Sequence, residues 1–437
     1  MSDSVQSMIR PGEPLDLYYY SGETSKKAAF PVTVNTKYQQ QLNNLSGGSS
    51  TFLFPPNNGI QDVVCSFTFA ALGTTEGDFD NLALPQAWGY ALIKSVSWRY
   101  AGTSQFFLTG DQLFQNALRD QTSRSSCNDL ANFGGNYAVG DNFLSPQSAS
   151  VVLRLPHATA SGVNKQLPFP TDCLTSQVQI IVELNNVGDI FTNASGAVLP
   201  ANAQKLANGY FQIQQIMMNN QGDCLARRVD LSSKAYAFPC EFVQQKVVIA
   251  GSQLQFSPNG QNQPVNTVVL SGFRAGQVKS IECWLTNNDD TLINPAARVG
   301  TTFAYQPFKW YVPTSVEMVY AGDIYARYLN GTGQLFNLLN GNKAPAFDSN
   351  EIVLAGAAIG FPLPYLSEWL SLPFAQPLVD EDCHYILLHG RTITNGIINL
   401  QNLILPSVPS VNGWTLNISY VYNATILFSQ GSCDYVF

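Results

Sequence analysis

One stretch of this chain occurs twice, and that doubling limits the folds open to it. Residues 93–118 read IKSVSWRYAGTSQFFLTGDQLFQNAL, and residues 313–339 read PTSVEMVYAGDIYARYLNGTGQLFNLL. Ser95-Val96, Tyr100-Ala101-Gly102 and Gln112-Leu113-Phe114 recur as Ser315-Val316, Tyr320-Ala321-Gly322 and Gln334-Leu335-Phe336. The clusters keep their order and nearly the same offset, about half of the 437 residues. A period that long is too large for a solenoid repeat and suits two similar domains in tandem.

Each copy reads as a strand, a tight glycine turn, a second strand and a short helix. Val96, Trp98 and Tyr100 alternate with Ser97 and Arg99, the period of a half-buried strand. Gly102 and Gly322 supply a residue that reaches positive φ without a Cβ clash. Asp111 is placed to cap the helix that follows, and Leu113, Phe114, Ala117 and Leu118 share one helical face.

Short strands bounded by Gly, Pro or Asn fill most of the rest. Val63, Cys65, Phe67 and Phe69 alternate cleanly, as do Val178, Ile180, Val182 and Leu184. The second half has strand-like runs at 242–249, 265–270, 278–285, 397–404 and 414–428. Each half has room for about eight strands, which predicts an all-β chain of two tandem eight-stranded jelly rolls with short helices in loops. The expected division is an N-terminal arm at 1–28, roll one at 29–225, a linker at 226–240 and roll two at 241–437. Residues 119–149 and 187–209, rich in small and polar residues, read as long loops.

Composition narrows the function. Charged residues are 12% of the chain, about half the usual share, while hydrophobic residues are 45%. So little charge fits a surface buried against other subunits, where charged residues are depleted. The net charge is −8 with no basic run, which argues against a direct grip on nucleic acid. The first residues, MSDSVQSMIRPGEP, carry no continuous apolar segment of a secretory signal, so reduced thiols are expected for the eight cysteines. None of these cysteines forms a CxxC pair, and Cys65 and Cys283 read as small buried hydrophobes.

The search for chemistry assigns no catalytic residue, no cofactor site and no metal site. His384 and His389 are five apart, so on a strand they point to opposite faces; His157 stands alone. Asp380-Glu381-Asp382 reads as a solvated acidic turn. Asn287-Asn288-Asp289-Asp290 offers loop oxygens of the kind calcium takes, and no metal is assigned there. No GxSxG, HExxH or GxxxxGK is present, and the expectation is a non-enzyme. N-x-S/T triplets begin at Asn44, Asn193, Asn330, Asn417 and Asn423, and without a secretory signal no glycans are expected on them.

Four segments resemble one family. Gly89–Val96 (GYALIKSV), with the turn and helix after it, resembles that family's G-x-x-L-I-K-x-V, its Gly turn and its helix. Residues 167–184 are similar to its Leu-Pro-Phe loop and apolar strand, and residues 211–249, with Arg227-Arg228 and Phe242-Val243, to its connector. Residues 396–437, with Tyr422-Asn423-Ala424-Thr425-Ile426-Leu427, resemble its closing strands. The family is the double jelly-roll major capsid protein of nucleocytoplasmic large DNA viruses, a lineage shared with tectivirus-like phages and adenovirus hexon. The family's usual Gly-Gly turn is Ala101-Gly102 here, the mark of a distant member.

That resemblance implies a virion shell protein that works as a homotrimer, three chains presenting six similar lobes as one capsomer of an icosahedral double-stranded DNA virus. It also implies neighbouring capsomers, minor capsid and penton proteins and an internal virion membrane as partners. The arm at 1–28 would then lie inside or reach a neighbour, and the two long loops would crown or join capsomers. Tyr18-Tyr19-Tyr20, Trp310-Tyr311 and Trp369 read either as exposed contact aromatics or as ordinary core. The alternative function is a minor capsid, spike or lectin-like β-sandwich, with Tyr311 and Trp369 stacking on sugars.

Overall fold

The computed structural model describes residues 32–54, 59–100, 103–119, 123–153, 174–218, 235–249, 267–291, 305–329, 346–351, 363–374, 391–393, 397–408 and 410–437, together with shorter pieces. Two sets of eight strands carry the fold. The first set is β1 (Val32–Gln41), β2 (Gly48–Leu53), β3 (Gly59–Phe69), β4 (Ile93–Tyr100), β5 (Thr103–Thr109), β6 (Gln147–Val152), β7 (Val178–Leu184) and β8 (Asn208–Met218). These strands form two antiparallel sheets, β1-β8-β3-β6 and β2-β7-β4-β5. The second set is β9 (Ala235–Val243), β10 (Val268–Leu270), β11 (Gly276–Asn287), β12 (Ser315–Tyr320), β13 (Asp323–Tyr328), β14 (Leu370–Pro373), β15 (Ile398–Ile404) and β16 (Trp414–Ser429). They pair as β9-β16-β11-β14 and β10-β15-β12-β13. Each strand of the first set thus has a partner eight places later with the same neighbours. In each set the first and last strands meet side by side, the wrapped order of a jelly roll.

The repeat found in the sequence is the β4-β5 hairpin and its counterpart β12-β13. Both turns have two residues, between Tyr100 and Thr103 and between Tyr320 and Asp323. In the second, Ala321 and Gly322 have φ of 53° and 89°, the left-handed pair that matches the twist of the flanking strands. Both hairpins also slip register at the same point, at Trp98/Arg99 and at Met318/Val319. A shared bulge is independent support for the doubling, because bulges are specified features and not noise.

Alternation sets the core of the first roll. Val63, Cys65 and Phe67 are fully buried, and the facing strand contributes Phe211 and Ile213. β7 alternates buried and half-buried along its whole length. In the second roll the middle strands break this rule: most of β11 and β16 is buried on both faces. One edge of β11 is shared by three short segments, Trp310–Tyr311, β14 and Arg391–Ile393, where the first roll has β6 alone.

Some expectations change. The loop expected over 119–149 holds a ten-residue helix, Arg124–Phe133, and the short strand that becomes β6. Ser123 and Ser126 close a reciprocal capping box at that helix, so serines that suggested a loop are its start signal. The stretch 187–209 contains two 3₁₀ turns, Val187–Ile190 and Ala201–Ala203. Residues 235–240 of the expected linker already belong to β9, where they pair with β16. The arm at 1–28 lies outside the described residues. Among the described residues no helix is long and apolar enough to cross a membrane.

Candidate assembly site at the seam between the rolls

The double burial of β11 and β16 has a local cause. The chain leaves β5 straight into α2, having already formed the short helix α1 (Trp88–Leu92) before β4; α2 is Gly110–Arg119. This second helix lies on the outer face of the second roll's β9-β16-β11-β14 sheet. A Cβ at Gly110 would come within 2.2 Å of the Tyr90 carbonyl oxygen and 2.4 Å of that of Ile93. Only glycine lets α2 start pressed against the end of α1.

Polar contacts fix the helix on that sheet. The Gln112 amide Nε2 donates to Ser419 Oγ at 2.8 Å and to the Gln244 carbonyl at 2.9 Å. Arg119 at the far end pairs with Glu282 at 2.5 Å. Ser419 and Glu282 face each other across β16 and β11, so one ladder position receives both ends of the contact. Asp111, expected as a cap, accepts from the Gln112 backbone N–H at the helix start, accepts from Thr109 Oγ1 through one oxygen and pairs with Lys246 through the other. Burial opposes its charge, but Lys246 and three hydrogen bonds outweigh that and hold its carboxyl below the ordinary value. For Glu282 burial wins: its carboxyl is raised although Arg119 pulls the other way.

Phe114 is the apolar centre of the seam. Its ring lies 4.8 Å from Tyr90 in its own roll, and 4.9, 5.1 and 5.9 Å from Phe308, Phe347 and Trp310. Trp310 in turn meets Trp369 at 5.7 Å. Trp310 and Trp369 are 1% exposed and Tyr311 6%, which decides for core packing over exposed contact at these three. Tyr18, Tyr19 and Tyr20 lie outside the described residues.

Further contacts extend the seam. Tyr100 Oη donates to the Gly431 carbonyl at 2.6 Å, which also accepts from Thr175 N at 2.9 Å. Thr192 Oγ1 accepts from Tyr305 N at 2.6 Å, and Asp348 pairs with Arg124 while accepting from Asn128 Nδ2. Ring contact between Phe169 and Phe428 adds an apolar patch.

The other sequence candidates fall elsewhere. In the Asn287–Asp290 loop, Asp289 accepts from the Val411 and Asn412 amides at 2.7 and 2.9 Å, a strap across to the 410–413 turn. Asp290 is buried beside Lys309 at 3.5 Å. Asn193, Asn417 and Asn423 are buried in the folded chain, whereas Asn44 is exposed. Cys65, Cys127, Cys240, Cys283 and Cys433 are buried free thiols; burial pushes the Cys283 thiol up to about 12. His157, His384, His389, Asp380, Glu381, Asp382 and Asn330 lie outside the described residues. Sequence reasoning missed Ser419, Glu282 and Lys246, which sit on ordinary strand or loop positions with no local signal.

No family model and no curated protein matches this sequence. Solved structures do. PBCV-1 VP54, fitted into a reconstruction of the virophage Sputnik, matches with TM-score 0.60 and 13% identity over 93% of this chain and 97% of that one. The Faustovirus major capsid protein matches at 0.54 and 9% identity, covering 91% and 90%. A chain of the Sputnik virophage gives 0.54 at 10% identity over 93% and 88%. The likeness covers more than nine-tenths of this chain, and the chain has the double jelly-roll fold of these capsid proteins.

Proposed function

We propose that this chain is a major capsid protein, the structural subunit of an icosahedral double-stranded DNA virus shell, located in the virion. One observation carries the reading: two rolls of the same strand order, locked together by a buried seam, in a chain that PBCV-1 VP54 matches over 93% of its length. Two independent domains on a linker would need no such seam. A rigid pair of like lobes is what a lattice of lobes requires.

On this reading the chain forms a homotrimer, and the trimers meet neighbouring capsomers, minor capsid and penton proteins over an internal membrane, without touching nucleic acid. The rolls divide at 226–240, with the arm at 1–28 reaching inward or to a neighbour, and the role is mechanical and not enzymatic. The lectin-like alternative loses its support, since Tyr311 and Trp369, its candidate sugar platforms, are buried. Light scattering on the purified protein tests the proposal. The expected mass is that of three chains, with six-lobed particles in negative-stain images; a stable monomer at micromolar concentration overturns it.

A further inference from the structure

A closed polar cluster lies where β11 ends. Asp290 follows β11, and Lys309 precedes the short strand Trp310–Tyr311 that pairs with Thr286 and Leu285 of β11. Backbone bonds hold both residues in place: Gln306 N donates to the Asp290 carbonyl at 2.8 Å, and Lys309 N to the Gln306 carbonyl at 3.3 Å. Asp290 and Lys309 are 5% and 6% exposed, and Lys309 Nζ lies 3.5 Å from Asp290 Oδ2.

Aromatic rings enclose the pair. Nζ sits 5.8 Å from the centre of the Tyr311 ring and 5.0 Å from that of Tyr365, on the strand Leu363–Glu368. Trp414 stands edge-on to Tyr311 at 4.9 Å. Tyr311 Oη donates to Asp290 Oδ2 at 3.4 Å and is also hydrogen-bonded to Lys309 and Tyr365. One hydroxyl therefore touches both members of the pair. Burial, with the Asp290 charge behind it, pushes the Tyr311 phenol up to about 12, so the phenol keeps its proton.

An ordinary ion pair gains little from such a setting. Both charges have lost their water, and that cost often exceeds their attraction. Passing one proton from the ammonium to the carboxylate leaves a neutral amine beside a neutral carboxylic acid, the form that a dry site favours. Groups held in reacting geometry behave as though at effective concentrations of about 10⁵ M or more.

We propose that Lys309 and Asp290 condense into an amide, a covalent cross-link that the chain forms on itself. After the first proton has moved, the amine lone pair attacks Asp290 Cγ and the C–N bond forms. The surplus proton on nitrogen travels through Tyr311 Oη to Oδ2. That oxygen leaves as water while the other regains its double bond to carbon. One ammonium and one carboxylate become one amide and one water, so no oxidant or cofactor is consumed. Tyr311 is the catalytic residue of the step. The bond fastens the segment 306–311 to the end of β11, where two strand pairs, Leu285 with Tyr311 and Thr286 with Trp310, join them. The proposal does not depend on the capsid reading, since a mass reads it and assembly does not.

Mass spectrometry on the full-length protein tests it. The folded wild type is expected to weigh one water less than its sequence. After denaturation and trypsin, residues 280–298 should appear joined to residues 299–327, because an acylated Lys309 is no longer a cleavage site. Lys309→Arg and Asp290→Ala are each expected at the full sequence mass. Tyr311→Phe is expected to give a mixture of linked and unlinked chains, with the linked share rising over days. Wild-type protein that yields residues 280–298 and 299–309 as separate peptides overturns the cross-link, whatever the variants do. Loss of water without joined peptides overturns it too, because a cyclised aspartate would produce that. Complete linkage in Tyr311→Phe as fast as in wild type overturns the role of the hydroxyl.

Discussion

Gln112 and Ser419, separated by 307 residues, are joined by a buried 2.8 Å hydrogen bond that ties the helix of one roll to the central strand of the other. The same amide also reaches the Gln244 carbonyl. One side chain thus serves two acceptors of the second roll, the buried Ser419 hydroxyl and the half-buried Gln244 carbonyl. Replacing Gln112 with leucine should cost about 1–3 kcal/mol, the range for stranding a buried polar partner. A urea titration at fixed protein concentration checks it; an unchanged midpoint would show that the bond contributes nothing to the seam.

Phe114 is expected to matter more. It is fully buried and touches rings from both rolls. Phe114→Ala should destabilise by about 3–5 kcal/mol through lost burial and the cavity left behind. Limited proteolysis should then separate the rolls before either one unfolds, which a purely local defect in one roll would not do.

Asp111 makes the seam sensitive to acid. Its folded carboxyl lies below the ordinary 3.8, so its contribution is present above that value and is lost as pH falls through the folded one. Asp111→Asn should be less stable than wild type by about 2 kcal/mol at pH 7. The gap should close as the pH drops below about 4. Glu282, raised by burial, titrates in the opposite sense in both proteins, so the difference between the two pH curves is the quantity to measure. A gap that stays constant down to pH 2 would refute the assignment.

Ala321 offers a stabilising change. It sits at φ 53° beside Gly322, and it is exposed. A left-handed alanine costs roughly 1 kcal/mol, and asparagine is the residue such turns favour at that place. Ala321→Asn should therefore raise the melting temperature by a few degrees without altering assembly, as calorimetry would read.

Much of this architecture was legible beforehand. Tyr100-Ala101-Gly102 and Tyr320-Ala321-Gly322 located the two equivalent hairpins, because a two-residue turn leaves a short and specific trace. Val63 to Phe69 and Val178 to Leu184 announced their buried faces, because side chains on a strand alternate. The helix at Arg124–Phe133 was hidden, since its serines serve equally as loop residues and as caps. Trp310 and Trp369 were ambiguous for a related reason: a large aromatic suits an interface and a core equally well.

The chain by itself determined the doubling, the strand content and one buried face of each strand, all of which follow from local spacing. Only the tertiary structure decided that the second face of β11 and β16 is also buried, and that Ser419 and Glu282 face a helix and not water. No periodicity encodes that, because the groups that satisfy Ser419 and Glu282 come from Gln112 and Arg119 in the other roll.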